Sequence, residues 1–299
     1  VLLPLLVPAI ITGALWALPG DPAAIICPPE QCAEGYVELA RKWRLDSGPT
    51  YFYVTWLQDA LTLDFGRSWK IMAGSPVYDE IVAATPTTLA LLGLSVLPLF
   101  LGTVFTALVW LPRWAQSLVE VPAQIIGMVP AVIPALLAAA YVEITYGVTF
   151  DDWGPYITRL ILGALVLALA DGAMSGAITG TRSTFEREYN QRYIHIATLR
   201  GETQLSNALP NVLPALIGQM RGRVLHVLSG TVVVEVVVGI PGLGELLWAG
   251  TLGQDFGIVL AAAFVFALIS GGMMFIQAIS EIAVALYVRR SPSGVMVNA

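Results

Sequence analysis

Charge is what this sequence has least of. Asp, Glu, Lys and Arg make up 12% of its 299 residues, and hydrophobic residues make up 57%. An ordinary soluble domain carries about 25% charged residues. The charges that exist are gathered into islands. Residues 86–110, 121–142, 224–234 and 256–280 hold none. That patterning, with a mean hydropathy of +0.75, excludes a soluble globular protein. Cysteine and histidine are also scarce, at two each, which argues against a disulfide scaffold or a Cys/His metal centre. No Gly-x-x-x-x-Gly-Lys-Ser/Thr run is present, so nucleotide is not expected to bind this chain. No Ser/His/Asp or Cys/His arrangement suggests nucleophilic catalysis. The net charge of −6 disfavours nucleic acid as a partner.

What is there are apolar runs of membrane length. A bilayer core takes about 20 apolar residues per helix, because lipid cannot satisfy open backbone groups. Six spans are expected, near 1–18, 86–110, 121–142, 157–180, 223–248 and 257–288. The fold class is therefore an all-α polytopic membrane protein. The first span is short and opens without a methionine: either the chain starts late, or flanking N-terminal residues are missing. A signal peptide is the alternative for 1–18, but the basic leader and a good cleavage site are lacking.

Arg/Lys bias sets the orientation. The island 181–223 holds six Arg against three Glu, and Arg289 and Arg290 follow the last span. The island 19–85 carries nine Asp/Glu against five Arg/Lys. The reading is both termini in the cytoplasm, residues 19–85 outside as an amphipathic loop region, and 291–299 as a cytoplasmic tail. Cys27 and Cys32 then fall in the compartment that permits disulfides; a bridge and two free thiols both remain open. Tyr51 to Leu63 is a very aromatic helix, expected to lie flat on the outer surface or to pack over the span ends. No metal site is expected there, since neither His195 nor His226 is on that side.

The island 181–223 is the most informative stretch. Phe185 to Arg200 reads as a helix with Tyr189, Tyr193, Ile196 and Ala197 along one side. Gly201 breaks it, Glu202 to Leu209 starts a second short helix, and Pro210 and Pro214 precede span five. This is a basic knob that a soluble partner could push. The alternative is an interfacial basic segment.

At this point the residues resemble a known family. His195-Ile-Ala197-Thr-Leu-Arg-Gly201 is similar to the coupling loop of permease subunits of binding-protein-dependent ABC importers, in the peptide/nickel (dipeptide/oligopeptide) group. His195 stands where the general pattern has Glu. Leu18-Pro-Gly-Asp-Pro-Ala23, Leu63-Asp-Phe-Gly-Arg-Ser68, Pro86-Thr-Thr-Leu89 and Val233-Val-Glu235 through Pro241-Gly242-Leu-Gly244 resemble other motifs of that group. They follow in order over nearly the whole chain. Leu209-Pro-Asn-Val-Leu213 comes about one helical turn early, unless Leu213-Pro214 fills the Leu-Pro position.

The resemblance implies a core over 86–290 with a cytoplasmic coupling helix between spans four and five. Tyr193, His195, Ala197, Arg200, Gly201 and Glu202 would meet an ATPase. It implies a second permease subunit of different sequence, two ATPase subunits that bind ATP and Mg, an outer solute-binding protein and a bacterial inner-membrane location. No cofactor is implied in this chain. Intramembrane ionisable residues are costly and placed with purpose. Asp171 is expected either to line the path or to bond a neighbouring helix. Glu235, with Pro241, Gly242 and Gly244, is expected to be a gating or hydrogen-bonding hub near the outer side. The rival classes are an ion-coupled secondary transporter and a diverged non-transporting scaffold. Arg159 is placed at an outer edge, and the spans are otherwise read as free of basic charge.

Overall fold

A computed structural model of the chain describes residues 2–20, 22–26, 36–108, 113–147 and 153–290. Cys27 and Cys32 lie outside the described residues. Among the described residues thirteen α-helices follow one another: α1 Leu3–Ala17, α2 Pro22–Ile26, α3 Tyr36–Lys42, α4 Pro49–Leu61, α5 Val77–Leu108, α6 Arg113–Gly127, α7 Val132–Tyr146, α8 Trp153–Leu169, α9 Ala173–Tyr189, α10 Arg192–Leu199, α11 Gln204–Val238, α12 Leu243–Leu252 and α13 Phe256–Arg290. Among the described residues no strand forms; Arg67 and Pro76 make one isolated antiparallel bridge. Val77–Thr106, Trp153–Tyr189 and Phe256–Tyr287 are long and apolar enough to cross a membrane. The count rises to five if α6 with α7, and α11 with α12, are each one broken span. Helix α1, at 15 residues, covers about 22 Å, less than a ~30 Å hydrocarbon core.

The chain divides into two units, Val1–Leu89 with Pro241–Gly272, and Ala90–Ile240 with Met273–Ala299. In the first, the core is aromatic. Phe52, Trp56, Phe65 and Trp69 are buried with Leu15, Ile258 and Phe264. Trp16 stacks obliquely on Phe52 at 5.3 Å, and Trp56 meets Phe264 edge-on at 5.7 Å. Tyr53 donates to the Leu5 carbonyl at 2.8 Å. Helix α4 thus spends Phe52, Trp56 and Ala60 on protein, not on a flat lipid surface; such rings bury more area in a core than at an interface.

In the second unit α9 and α11 pack face to face. Several expectations change here. Span three is two helices bent by 88°: Pro130 has no N–H and disfavours helix in the residue before it. Helix α11 runs unbroken through Pro210 and Pro214, so the expected second short helix and span five are one element. Helix α9 ends at Tyr189 and α10 begins at Arg192, so the knob breaks at Asn190–Gln191 as well as at Gly201. Ile196 is 51% exposed, and Ile194 takes the buried place at 1%. Arg159, about two turns from the start of α8, is buried against protein. Arg221 and Arg223 sit within α11, so basic charge does enter that helix.

Candidate translocation and coupling elements

The knob is held from inside. Phe185, Ile194, Ala208, Val212 and Leu216 form a closed apolar cluster, with Tyr189, Tyr193 and Leu205 around it. A polar clasp lies beside it. The Tyr193 hydroxyl donates to Glu188 Oε1, while Asn211 Nδ2 donates to the same oxygen at 3.1 Å and to the Tyr193 oxygen at 2.7 Å. Burial, aided by the Glu188 carboxylate, pushes the Tyr193 phenol up to about 12. Ends of α9, α10 and α11 are tied in this way. Gly201 takes φ +82, and the Glu202 N–H reaches back to the Ala197 carbonyl at 3.1 Å. Ala197 is buried; Arg192, His195, Arg200 and Glu202 are exposed. Leu199 is 80% exposed beside Ile196. The outward face is therefore two apolar side chains among basic ones.

Above the knob, polar contacts continue along the α9–α11 seam. Gln219 Nε2 donates to Thr184 Oγ1 at 2.9 Å. The Arg223 guanidinium donates to the carbonyls of Ala173, at 2.9 Å, and Gly176. Arg182 joins α9 to α6: it pairs with Glu120 at 2.5 Å and Glu186 at 3.0 Å.

At the top of α9 the fourth span breaks at a 3-10 turn, Ala170–Gly172, where Asp171 adopts φ 51, ψ 21. This break meets the break of span three. The Asp171 N–H donates to the Val129 carbonyl at 3.3 Å, and Asp171 Oδ1 accepts from the Ala131 N–H at 3.1 Å. A Cβ on Gly127 would fall 2.9 Å from Gly172 Cα and 2.9 Å from Ser175 Oγ, so only glycine lets these backbones approach. His226 Nε2 of α11 is 3.9 Å from Asp171 Oδ2, with the two side chains 44% and 38% exposed. Glu235 is fully buried, nine residues further along α11, or roughly 13 Å of helix rise. Asp171 and Glu235 are thus separate features. The Glu235 carbonyl accepts the Ile240 N–H at 2.9 Å as α11 ends.

In the other unit the Pro241-Gly242 turn leads into α12, whose Leu243 N–H donates to Thr88 Oγ1 at 2.7 Å. A second anchor there was not anticipated from sequence. Asp255 is fully buried. Its carboxylate accepts from Ser68 Oγ at 2.5 Å and from the N–H groups of Trp69, Lys70 and Ile71 at 3.0, 2.9 and 3.1 Å. Burial pushes its carboxyl up, but the four hydrogen bonds outweigh it and hold the group below the usual carboxylate range. The readable signal was an Asp just before the apolar run of α13, a common N-cap pattern.

The two faces of α11 differ. Leu213, Ile217, Met220 and Val224 line an apolar groove of about 810 Å³ shared with α5 and α13. The opposite face exposes Asn211, Gly218, Gly222, His226 and Ser229, and a Cβ on Gly218 or Gly222 would meet nothing within 4 Å. The groove is lined almost wholly by apolar side chains, with Thr103, Gln277 and Ser280 its polar ones; the second face of α11 is the more polar of the two. Among the described residues no group of three His, Cys, Asp or Glu could hold a metal.

Residues 98–285 match the family described as binding-protein-dependent transport system inner membrane component. The glutathione transport system permease protein GsiC of Shigella boydii serotype 4 is 29% identical, over 84% of this chain and 83% of its own. The protein of the same name from Escherichia coli K12 matches with the same identity and coverage.

Proposed function

Because the chain belongs to the family of binding-protein-dependent transport system inner membrane components, as an ABC importer permease subunit of the peptide/nickel group, we propose that it forms part of the path for small peptides or similar polar solutes and is driven by separate ATPase subunits seated on α10. The observation that carries this reading is the knob. Leu199 and Ile196 are exposed between Arg192, His195 and Arg200, on a helix clasped rigidly to the ends of α9 and α11. An apolar patch so rimmed suits a protein groove. A push on α10 would be delivered to both helices at once.

The polar face of α11 supplies the path in this reading, and Asp171, Glu235 and the Pro241-Gly242-Leu-Gly244 turn supply gating elements. The similar permeases are named for glutathione, a small peptide, which favours cargo of that class. The chain is a multi-pass inner-membrane protein; the proposed arrangement has six spans, cytoplasmic termini, a second and different permease subunit, two ATPase subunits holding ATP and Mg, and an outer solute-binding protein. Purifying the intact complex and measuring ATP hydrolysis with and without the outer protein tests it. Stimulation by the loaded outer protein is expected. Uptake by this chain alone under an ion gradient would instead identify a secondary transporter, and assembly with no uptake at all would identify a scaffold.

A further inference from the structure

We propose that Asp171 is a positioning residue that splices the two broken spans into one joint, so that α6–α7 and α8–α9 bend together during transport. This rests on the permease reading above for its role in transport, but not for the joint itself. A helix break inside a membrane exposes backbone donors and acceptors that lipid cannot satisfy. Such breaks are kept where protein groups take up those bonds. Here one residue serves both directions. The Asp171 N–H closes the Val129 carbonyl, and its Oδ1 closes the Ala131 N–H, on the two sides of Pro130. A side chain reaches back to its neighbour's break because Asp171 itself is in the left-handed region at φ 51, which Asp tolerates better than most residues. The glycine pair Gly127 and Gly172 then lets the two bends touch.

The second carboxylate oxygen is the movable part. Oδ2 makes no hydrogen bond to His226 at 3.9 Å, yet His226 is the basic group nearest to it. Arg223, a turn below on α11, is engaged by the Ala173 and Gly176 carbonyls. Glu120 of α6 is engaged by Arg182. If the joint opens and Ala131 withdraws, Asp171 has His226 as a substitute partner on the helix that also carries the clasp to α10. Motion at the knob and motion at span three then share one carboxylate.

Three replacements separate this role from contact with cargo. Asp171→Asn keeps an acceptor for Ala131 and should keep the joint. Asp171→Ala removes it. Asp171→Gly relieves the left-handed conformation but also lacks the acceptor, and should behave like Ala. Hydrogen exchange at the Ala131 amide reads the joint in the intact complex; it should quicken roughly tenfold or more in the Ala and Gly variants and stay near wild type in Asn, as loss of a hydrogen bond to a charged group implies. Uptake per ATP hydrolysed should fall in the same two variants and be largely kept in Asn. Should Asp171→Ala fail to assemble, Gly127→Ala opens the joint from the other side, and the same loss is expected. Unchanged exchange at Ala131 in the Ala and Gly variants overturns the splice. So does loss of uptake in Asn with exchange intact, which would make the charge itself, and hence cargo, the reason for Asp171. A wild-type complex without binding-protein-stimulated ATP hydrolysis defeats the permease reading while leaving the exchange result standing.

Discussion

Two carboxylates do opposite jobs in this chain, and their hydrogen bonds say which. Asp255 accepts five hydrogen bonds, four from residues 68–71 and one from the Ile258 N–H at 3.3 Å, and has no free oxygen, so it is an anchor: it holds residues 68–71 to the start of α13. Removing a charged acceptor strands those donors, at a cost on the order of 3 kcal/mol. Asp255→Ala should therefore free the loop, seen as faster exchange or protease nicking at 68–72 with the helices intact; Asp255→Asn should give a smaller change. Acid has a definite sign here. The folded group titrates below the ordinary aspartate value of about 3.9, so its contribution is complete above that value and is lost only as pH falls through the depressed folded one. Loop protection should persist at about pH 4 and fail below it. Loss already at pH 5–6 would mean that the carboxylate is not held by these donors. Asp171, with one oxygen committed and one free, is by contrast built to change partners.

At the scale of elements, the knob turns on one backbone conformation. Gly201 at φ +82 lets the chain leave α10 and enter α11 within four residues. A β-branched residue there costs about 1–3 kcal/mol of strain. Gly201→Val should tilt α10 against its clasp: the complex still forms, transport falls several-fold, and ATP hydrolysis loses its response to the outer binding protein. Transport at the wild-type level in that variant would reduce Gly201 to an ordinary loop residue. Gly201 was legible because a glycine between two periodic runs is a strong stop signal. The break at Ala170–Gly172 was not, because Leu160 to Ala170 reads as one unpunctuated apolar run and the bond that defines the break comes from Val129, forty-two residues away. Helix α11 was read too short for a different reason. Arg221 and Arg223 count toward the basic island 181–223, and Pro210 and Pro214 stand between the second short helix and span five. A guanidinium can instead bind carbonyls of an adjacent helix, as Arg223 does on Ala173 and Gly176, and Pro210 and Pro214, both inside α11, each remove one backbone bond without ending the helix. Composition exposed the class of protein, and motif order its family. Pairings between distant segments, such as Asp255 with Ser68 or Tyr193 with Asn211, leave no periodic trace.

For the whole molecule, orientation in the membrane decides whether the parts do what is proposed of them. The knob must face the ATPase compartment, and the loop that Asp255 anchors must face the outer protein. Arg and Lys predominate around 181–223 and Asp and Glu around 19–85, and basic loops are retained on the cytoplasmic side. The packing is consistent with that division of labour: the aromatic core ties α4 to α1 and α13 within one unit, while α10 is clasped wholly within the other. A single cysteine placed near Arg187, in a background with Cys27 and Cys32 replaced, should react with an impermeant thiol reagent only in inside-out vesicles. One placed near Asp46 should react only in intact cells or right-side-out vesicles. The reverse labelling would put α10 outside, away from any ATP-driven partner, and would remove the coupling role together with the path it is meant to operate. Labelling of both positions from one side would mean an even number of crossings between them, and would require that one of α5, the α6–α7 pair or the α8–α9 span not cross the bilayer.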